Sequence, residues 1–178
     1  LSRLSGILGG HRNDPILFEA NLDMVSTVPK FDFFQMETPI YTRPRFMPAS
    51  KINGAAIDQA VISDGCIIDR SRISQSLIGV RCLISPGCRV HRSVLMGSDF
   101  YETNASKAES DEKGIPRIGV GENTRIEQAI IDKNARIGAN CVITPDDKPE
   151  HFDGENYYIR EGIVIIPKNA VIQDDTVI

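Results

Sequence analysis

The chain has 178 residues, of which 41% are hydrophobic and 25% charged, and its formal net charge is −4. Such a composition is ordinary for one soluble globular domain with an appendage, and the acidic balance argues against a nucleic-acid-binding protein. No stretch approaches the ~20 apolar residues of a membrane span, so we expect neither nucleic acid nor membrane among the partners.

The first 50 residues predict a linker, a short helix and an extended strap. Residues 1–13 show no clear period, and because Leu1 is not Met we expect the chain to be a fragment or a processed product. Asp14 is a good N-cap and Pro15 suits the first helical position, which predicts a helix over residues 14–25. Several prolines between residues 27 and 51 exclude a continuous helix there, so this segment is predicted to run as a strap toward the first repeat.

From residue 51 to residue 178, aliphatic residues recur every five or six positions within three stretches. They are Ile62, Ile68, Ile73, Ile78, Ile84, Val90 and Leu95, then Val120, Ile126, Ile131, Ile137 and Ile143, then Ile166, Ile172 and Ile178. This spacing fits neither a helix nor a half-buried strand and is typical of hexapeptide coils, whose short flat sides stack into a parallel β-solenoid. We therefore predict an all-β fold, a parallel β-helix over residues 51–178 in which these aliphatic residues face inward.

A small residue lies four positions after the leading aliphatic residue of each full repeat. The set comprises Cys66, Cys82, Cys88, Thr124, Ala135, Cys141, Ala170 and Thr176. Small side chains suit the crowded corners of a solenoid. Because all four cysteines of the chain fall in this set, we predict buried reduced thiols, with disulfides or a metal site as the alternatives.

Two excursions interrupt the repeat, at residues 98–117 and at residues 145–162. Both are rich in polar and charged residues and lack the aliphatic period. Insertions in solenoids map to loops on one face, so the first excursion is predicted to be a solvated loop between coils.

Little in the sequence suggests catalysis. The histidines His11, His91 and His151 are scattered, and no nucleophile, metal or phosphate-loop motif is present, so no catalytic residue and no metal ligand is predicted. His91 follows the inward-facing Val90 and therefore points outward. It is either a solvated surface histidine or the base of a hexapeptide acyltransferase, in which a histidine acts between trimer subunits.

The better chemical signal is cationic. Lys133 in IIDKNA and Lys168 in IIPKNA occupy equivalent places in their repeats. If the intervening residues complete a coil, the two ammonium groups lie ~5 Å apart on one face, where they repel each other and attract an anion such as phosphate. Arg43 and Arg45 of the strap could complete the site with guanidinium groups. The alternative is a pair of solvated surface lysines.

Several motifs resemble the C-terminal portion of the glucose-1-phosphate adenylyltransferases, also called ADP-glucose pyrophosphorylases, of the bacterial type. The matching pieces are FEANLDM (18–24), PKFDFF (29–34), PIYTRPRFMPASK (39–51), SLIGVRCLISPGC (76–88), VLMGSDFYET (94–103), IIDKNARIGANCVI (130–143) and REGIVIIPKNAVIQDDTVI (160–178). The resemblance implies a left-handed β-helix that assembles a tetramer and binds allosteric effectors. The family makes ADP-glucose and pyrophosphate from ATP and glucose 1-phosphate, for glycogen or starch synthesis.

The resemblance also implies what this chain does not contain. The family's nucleotidyltransferase domain, which binds ATP and Mg²⁺, has no counterpart in the sequence, so we expect no cofactor in this chain and no adenylyltransferase activity from it alone. A free-standing module that modulates catalytic subunits remains an alternative, as does the acyltransferase. We expect a cytoplasmic location, with a plastid as the alternative.

In regulated members of the family, lysines of the two KNA motifs bind a phosphate-bearing effector. They match Lys133 and Lys168, with Asp132 as a neighbour of the first. An arginine of the YTxPR segment lies at an anion site in some members and matches Arg45, with Arg43 beside it. Arginines of the catalytic domain complete these sites, so weak or absent effector binding is expected of this chain alone.

Overall fold

The computed structural model of the protein describes residues 14–30, 37, 41 and 45–178. Residues 1–13, most of the predicted strap and Arg43 lie outside the described residues. The elements are, in chain order, α1 (Asp14–Asp23), β1 (Lys51–Asn53), β2 (Ala56–Ile62), β3 (Ile67–Asp69), β4 (Arg72–Ile78), β5 (Leu83–Ile84), β6 (Arg89–His91), β7 (Val94–Leu95), α2 (Asn104–Glu112), β8 (Gly119–Val120), β9 (Arg125–Glu127), β10 (Ala129–Ile131), β11 (Arg136–Ile137), β12 (Val142–Ile143), β13 (His151–Asp153), β14 (Tyr158–Arg160), β15 (Ile163–Ile166) and β16 (Val171–Ile172).

The short strands pair in parallel with strands a fixed distance along the chain. Ile57 of β2 pairs with Ile73 of β4, which in turn pairs with Val90 of β6. These partners are 16 and 17 positions apart, which is the length of three repeats, so the chain returns to the same side after every third repeat. One sheet has six strands in the order β1-β3-β5-β8-β11-β16, and the remaining strands form a ten-stranded sheet.

The interior is built from the residues that the repeat singled out. Every leading aliphatic residue is buried except Ile62, which is partly buried. Of the eight predicted small positions, seven are buried and Thr176 is partly buried. Leading residues of neighbouring turns are direct strand partners, as in Ile68 with Ile84 and Ile78 with Leu95. The prediction of an all-β chain with an aliphatic interior is therefore confirmed.

A second apolar cluster lies on the outside of β7, β10 and β15. Along these strands, successive apolar residues face alternately inward and outward. The outward residues include Val94, Ile130 and Ile165, and Phe18 of α1 packs against them. The helix is thus held on the surface of the sheet by Phe18 and Leu22, and by an ion pair between Glu19 and Arg92 at 2.8 Å. Among the described residues, no helix combines the length and the apolar character needed to span a membrane.

Both excursions are more ordered than a plain loop. The first contains α2, where the Thr103 hydroxyl caps the helix by accepting from the Ser106 N–H at 3.1 Å. The prediction of a solvated loop was therefore incomplete, because this capping signal was overlooked. The second excursion forms the antiparallel pair β13–β14, and β14 also pairs with β15, so the excursion extends the sheet.

Candidate anion-binding site

The corners between sheet sides stack in a column along the protein. Four backbone hydrogen bonds link consecutive turns: Arg81 N to Asp64 O (3.1 Å), Ser98 N to Val80 O (2.8 Å), Asn134 N to Gly97 O (3.1 Å) and Asn169 N to Lys133 O (3.0 Å). We call this stack the corner column, defined by residues 64–65, 80–81, 97–98, 133–134 and 168–169. Both lysines singled out from the sequence therefore lie at one corner, on consecutive turns.

Asparagine suits these corners for a conformational reason. Asn134 and Asn169 have φ angles of 61° and 62°, in the left-handed region that asparagine tolerates better than most residues. Their side chains also interact, since Asn134 Nδ2 donates to Asn169 Oδ1 at 3.2 Å. The two KNA motifs thus place their lysines in the same way and hold the two turns in register.

Lys133 and Lys168 converge on one carboxylate, that of Asp99. Lys133 Nζ lies 2.9 Å from Asp99 Oδ1, and Lys168 Nζ lies 3.0 Å from Asp99 Oδ2. The side chain of Lys133 is 27% exposed, that of Lys168 39% and that of Asp99 38%, so the cluster is open to solvent. Hydrogen bonding to Lys133 is the main cause that lowers the pKa of the Asp99 carboxyl well below its ordinary value.

Asn134 holds Asp99 in this position. The Asp99 N–H donates to Asn134 Oδ1 at 2.8 Å, and Asn134 Nδ2 donates to Asp99 Oδ2 at 3.1 Å. Sequence reasoning missed Asp99. The signal in the sequence was that the first excursion begins at residue 98, three positions after the leading residue Leu95; the structure pairs Leu95 with Ile131, two residues before Lys133. The excursion therefore begins at the corner that carries the lysines.

Asp132 is buried next to Lys133, whereas the ion pairs of both lysines are with Asp99. Asp132 Oδ1 accepts the Lys133 N–H at 2.6 Å. Burial raises the pKa of the Asp132 carboxyl above its ordinary value, against the smaller effects of that hydrogen bond and of the two lysines. Asp132 thus shapes the backbone that presents Lys133.

The structure describes only one of the two strap arginines. Arg43 lies outside the described residues, and Arg45 is exposed. The segment that follows Arg45 reaches the first turn, where the Ser50 hydroxyl accepts from the Cys66 N–H at 3.1 Å. Cys66 adjoins the end of the corner column that is remote from Lys168, so the described segment after Arg45 meets the column at that end.

Arg81 is a cation of the corner column that the sequence did not single out. Its Nη1 donates to the Ser98 carbonyl at 3.3 Å, and its guanidinium lies 5.9 Å from the centroid of the Tyr101 ring. The Tyr101 hydroxyl in turn donates to the Gly65 carbonyl at 2.7 Å. These contacts hold the first residues of the excursion against the corner column.

Other candidate residues are placed away from this cluster. His91 Nδ1 lies 2.9 Å from Ser74 Oγ on the outside of the sheet. This contact adds no support for the alternative in which His91 is the base of an acyltransferase. The four cysteines are buried and free, and burial raises the pKa of the Cys88 thiol to about 11. Within residues 14–30, 37, 41 and 45–178, no group of three or more His, Cys, Asp or Glu side chains could hold a metal ion.

Comparison with known proteins assigns the architecture to a class. The family model of the GLGC left-handed parallel beta-helix domain matches residues 45–177. The chain therefore belongs to this family. A similar protein is the glucose-1-phosphate adenylyltransferase large subunit 1, chloroplastic/amyloplastic, of Zea mays, with 44% identity over 163 residues. The match covers 90% of this chain and 32% of the maize protein, so the chain spans about a third of that relative's length.

These comparisons confirm the resemblance to the C-terminal portion of the adenylyltransferases. The prediction of a bacterial type stays a prediction.

Proposed function

We propose that the chain is the regulatory and assembly part of a glucose-1-phosphate adenylyltransferase, which makes ADP-glucose and pyrophosphate from ATP and glucose 1-phosphate for glycogen or starch synthesis. The similarity to the maize large subunit over 90% of this chain supports the proposal. In this view residues 1–50 form a linker, a helix and a strap, and residues 51–178 form the regulatory β-helix. ATP and Mg²⁺ bind in a separate nucleotidyltransferase domain, which carries out the chemistry.

For the architecture we propose a left-handed solenoid with three sides. The return of the strand pairing after three repeats supports the three sides, and the family's own description supports the handedness. A right-handed crossover is the usual choice in other parallel sheets. The short corners with left-handed backbone angles, at residues such as Arg81 and Asn134, are compatible with tight turns between the sides.

The single observation that carries the site is the convergence of Lys133 and Lys168 on Asp99. Two ammonium groups and one carboxylate leave a net charge of +1, and both ammonium groups donate to the same position, which the Asp99 carboxylate occupies. A phosphate group offers more oxygens and more charge than a carboxylate, so a phosphate-bearing small molecule is the proposed effector. Arg45 and Arg43 contribute to the same regulation from the strap, together with groups of the catalytic domain.

Regulation acts through coupling between the two domains. An effector that prefers one arrangement of β-helix and catalytic domain shifts the population toward that arrangement, and substrate affinity changes with it. The protein works as an oligomer, for which we propose a tetramer, in the cytoplasm or in a plastid. The first turn offers a surface for assembly, because Ile52, Ile57 and Val61 are exposed there.

The experiment is an adenylyltransferase assay on this chain and on its fusion to a nucleotidyltransferase domain of the same family. We expect no activity from the chain as given and effector-responsive activity from the fusion. In the fusion, Lys168→Ala should weaken activation about tenfold while basal turnover stays similar, since the lysine serves the effector and not the reaction.

The matched control is Lys148→Ala, which removes the same charge from an exposed position in the second excursion. Equal losses in the two variants would reduce the effect to net charge. Loss of basal turnover in Lys168→Ala with an unchanged effector response would overturn the assignment of the site. Activity of the chain alone would mean that it contains a catalytic site.

A further inference from the structure

In the structure, both lysines of the candidate anion site are already paired with a carboxylate of the protein itself, that of Asp99. We propose that Asp99 is a built-in competitor: its carboxylate takes the place of the incoming anion, and a ligand binds Lys133 and Lys168 by displacing it. The inference rests on the proposed anion site and adds how that site is regulated. It also defines the ligand class, a doubly charged phosphate rather than a monocarboxylate.

While Asp99 stays in position, a second anion cannot contact both lysines without electrostatic repulsion. Each carboxylate oxygen of Asp99 accepts from one lysine, Oδ1 from Lys133 and Oδ2 from Lys168. An anion that approached both ammonium groups would meet the Asp99 charge between them and be repelled. When Asp99 turns away, the same two lysines present a net charge of +2. Binding and displacement are therefore linked.

Asp99 is anchored at its backbone, whereas its carboxylate is held by one hydrogen bond from Asn134 Nδ2 at 3.1 Å and by the two lysines. Its N–H is fixed by Asn134, and two residues further on Tyr101 anchors the excursion to Gly65. The carboxylate itself is 38% exposed and makes ion pairs of the kind that contribute little in water. Rotation of the side chain toward solvent can therefore release the lysines while the surrounding turns keep their register.

The tether determines which ligands can compete. Because Asp99 is attached beside the lysines, its effective concentration is at least in the millimolar range. A free monocarboxylate offers the same chemical group as Asp99 without the tether, and so it loses the competition at ordinary concentrations. A phosphate dianion carries twice the charge and a third oxygen, which gives it the advantage over Asp99.

The test is a titration of the full chain with inorganic phosphate, and separately with acetate, at constant low ionic strength and about pH 8, where phosphate is a dianion. Binding is followed by NMR shifts of the backbone amides of Lys133, Asn134 and Asn169. Four proteins are compared: the unchanged chain, Asp99→Asn, Lys168→Ala and Asp111→Asn. The last is the matched control, because Asp111 is also an ion-paired carboxylate of the first excursion but pairs with Arg117.

We expect Asp99→Asn to bind phosphate three- to tenfold more tightly than the unchanged chain, the range expected from releasing two exposed ion pairs. Asp99→Asn should also show acetate binding that the unchanged chain lacks. Asp111→Asn should match the unchanged chain, and Lys168→Ala should bind more weakly. The thermal midpoint of Asp99→Asn shows whether this variant is folded, and Asp99→Ser is the substitute if it is not.

The two ways to fail are distinct. If phosphate binds the unchanged chain and Lys168→Ala weakens it, but the variants at residue 99 bind no more tightly, the competitor role of Asp99 is wrong and the anion site stands. If phosphate shifts none of the three amides even in Asp99→Asn, the anion site itself is wrong. Equal gains in Asp99→Asn and Asp111→Asn would reduce the effect to net charge and would also overturn the competitor role.

Discussion

The carboxylates of Asp99 and Asp132 contribute to the free energy of unfolding with opposite pH dependence. Asp99 has a lowered pKa, so its contribution to the free energy of unfolding is present above the ordinary aspartate pKa and is lost as the pH falls. Asp132 has a raised pKa, so its contribution is fully present only at acidic pH and is lost as the pH rises through the raised value. The charged form of Asp132 therefore weakens the fold at neutral pH.

We predict that Asp132→Asn stabilises the protein at neutral pH relative to the unchanged chain. The amide oxygen can still accept the Lys133 N–H, but the variant no longer buries a charge. The stability difference between variant and unchanged chain should grow from about pH 4 to about pH 7, as followed by urea unfolding.

Asp99→Asn is the control with the opposite sign. Its stability relative to the unchanged chain should fall as the pH rises from about pH 2 to about pH 4 and then stay level, because the variant lacks the ion pairs that the ionised Asp99 makes with both lysines. If both variants showed the same pH dependence, the different environments assigned to the two carboxylates would be incorrect.

At the scale of single residues, the sequence predicted the lysine pair but not its counterion. Lys133 and Lys168 each follow a leading isoleucine by two positions, and regular repeats translate equal positions into equal places. Asp99 lies at the start of an excursion, where the repeat no longer fixes the path of the chain. Its position depends on the hydrogen bond to Asn134 and on contacts such as that of Tyr101 with Gly65, which join residues distant in sequence and cannot be predicted from a local pattern.

At the scale of elements, the first excursion is joined to the sheet by a buried ion pair. Glu102 and Arg136 approach to 2.9 Å, and their side chains are 1% and 20% exposed, respectively. Glu102 Oε2 also accepts the Ile118 N–H at 3.1 Å, and Arg136 Nη1 donates to the Pro116 carbonyl at 2.7 Å. These bonds close the excursion at both ends.

We predict that Arg136→Met destabilises the protein by about 2–3 kcal/mol, because it leaves the Glu102 carboxylate buried without its partner. Arg117→Met is the matched control on the same excursion. Arg117 pairs with Asp111 at 2.5 Å, but both side chains are exposed, so its loss should cost at most about 1 kcal/mol. Urea unfolding measures both variants, and cleavage of residues 98–117 by a protease should accelerate in Arg136→Met alone. Equal effects of the two substitutions would contradict the special role of the buried pair.

The elements that the sequence did not predict share a physical reason. Helix α2 buries only Ser110, so no apolar period marks it, and its one clear signal is the Thr103 cap. The pair β13–β14 depends on contact with β15, which lies outside its own segment. By contrast, the parallel strands could be predicted because each repeat packs only on its neighbours, so a local pattern determines a long-range structure.

At the scale of the whole molecule, stacking makes stability unequal along the chain. Among the described residues, β1 pairs only with β3 and β2 only with β4, so the first turn has neighbours on one side. Ile57 and Val61 of β2 are 38% and 40% exposed, whereas Ile130 of β10 is fully buried between β7 and β15. The energy of each turn comes largely from its neighbours, so the first turn should open most easily.

We predict that backbone amides of residues 51–62 exchange with deuterium at least about tenfold faster than those of residues 129–131 in this chain, because opening the first turn breaks one strand interface instead of two. Mass spectrometry of peptides covering both regions measures the ratio. The measurement is repeated at two protein concentrations, since self-association through the exposed strand edge would protect the first turn at the higher one. A concentration-independent ratio near one would mean that the chain unfolds as a single cooperative unit and that neighbour-by-neighbour stacking does not control its stability. The expected gradient would instead show that the stability of each turn depends on its neighbours, and that the exposed strand edge of the first turn is where a covering partner would protect the described chain most.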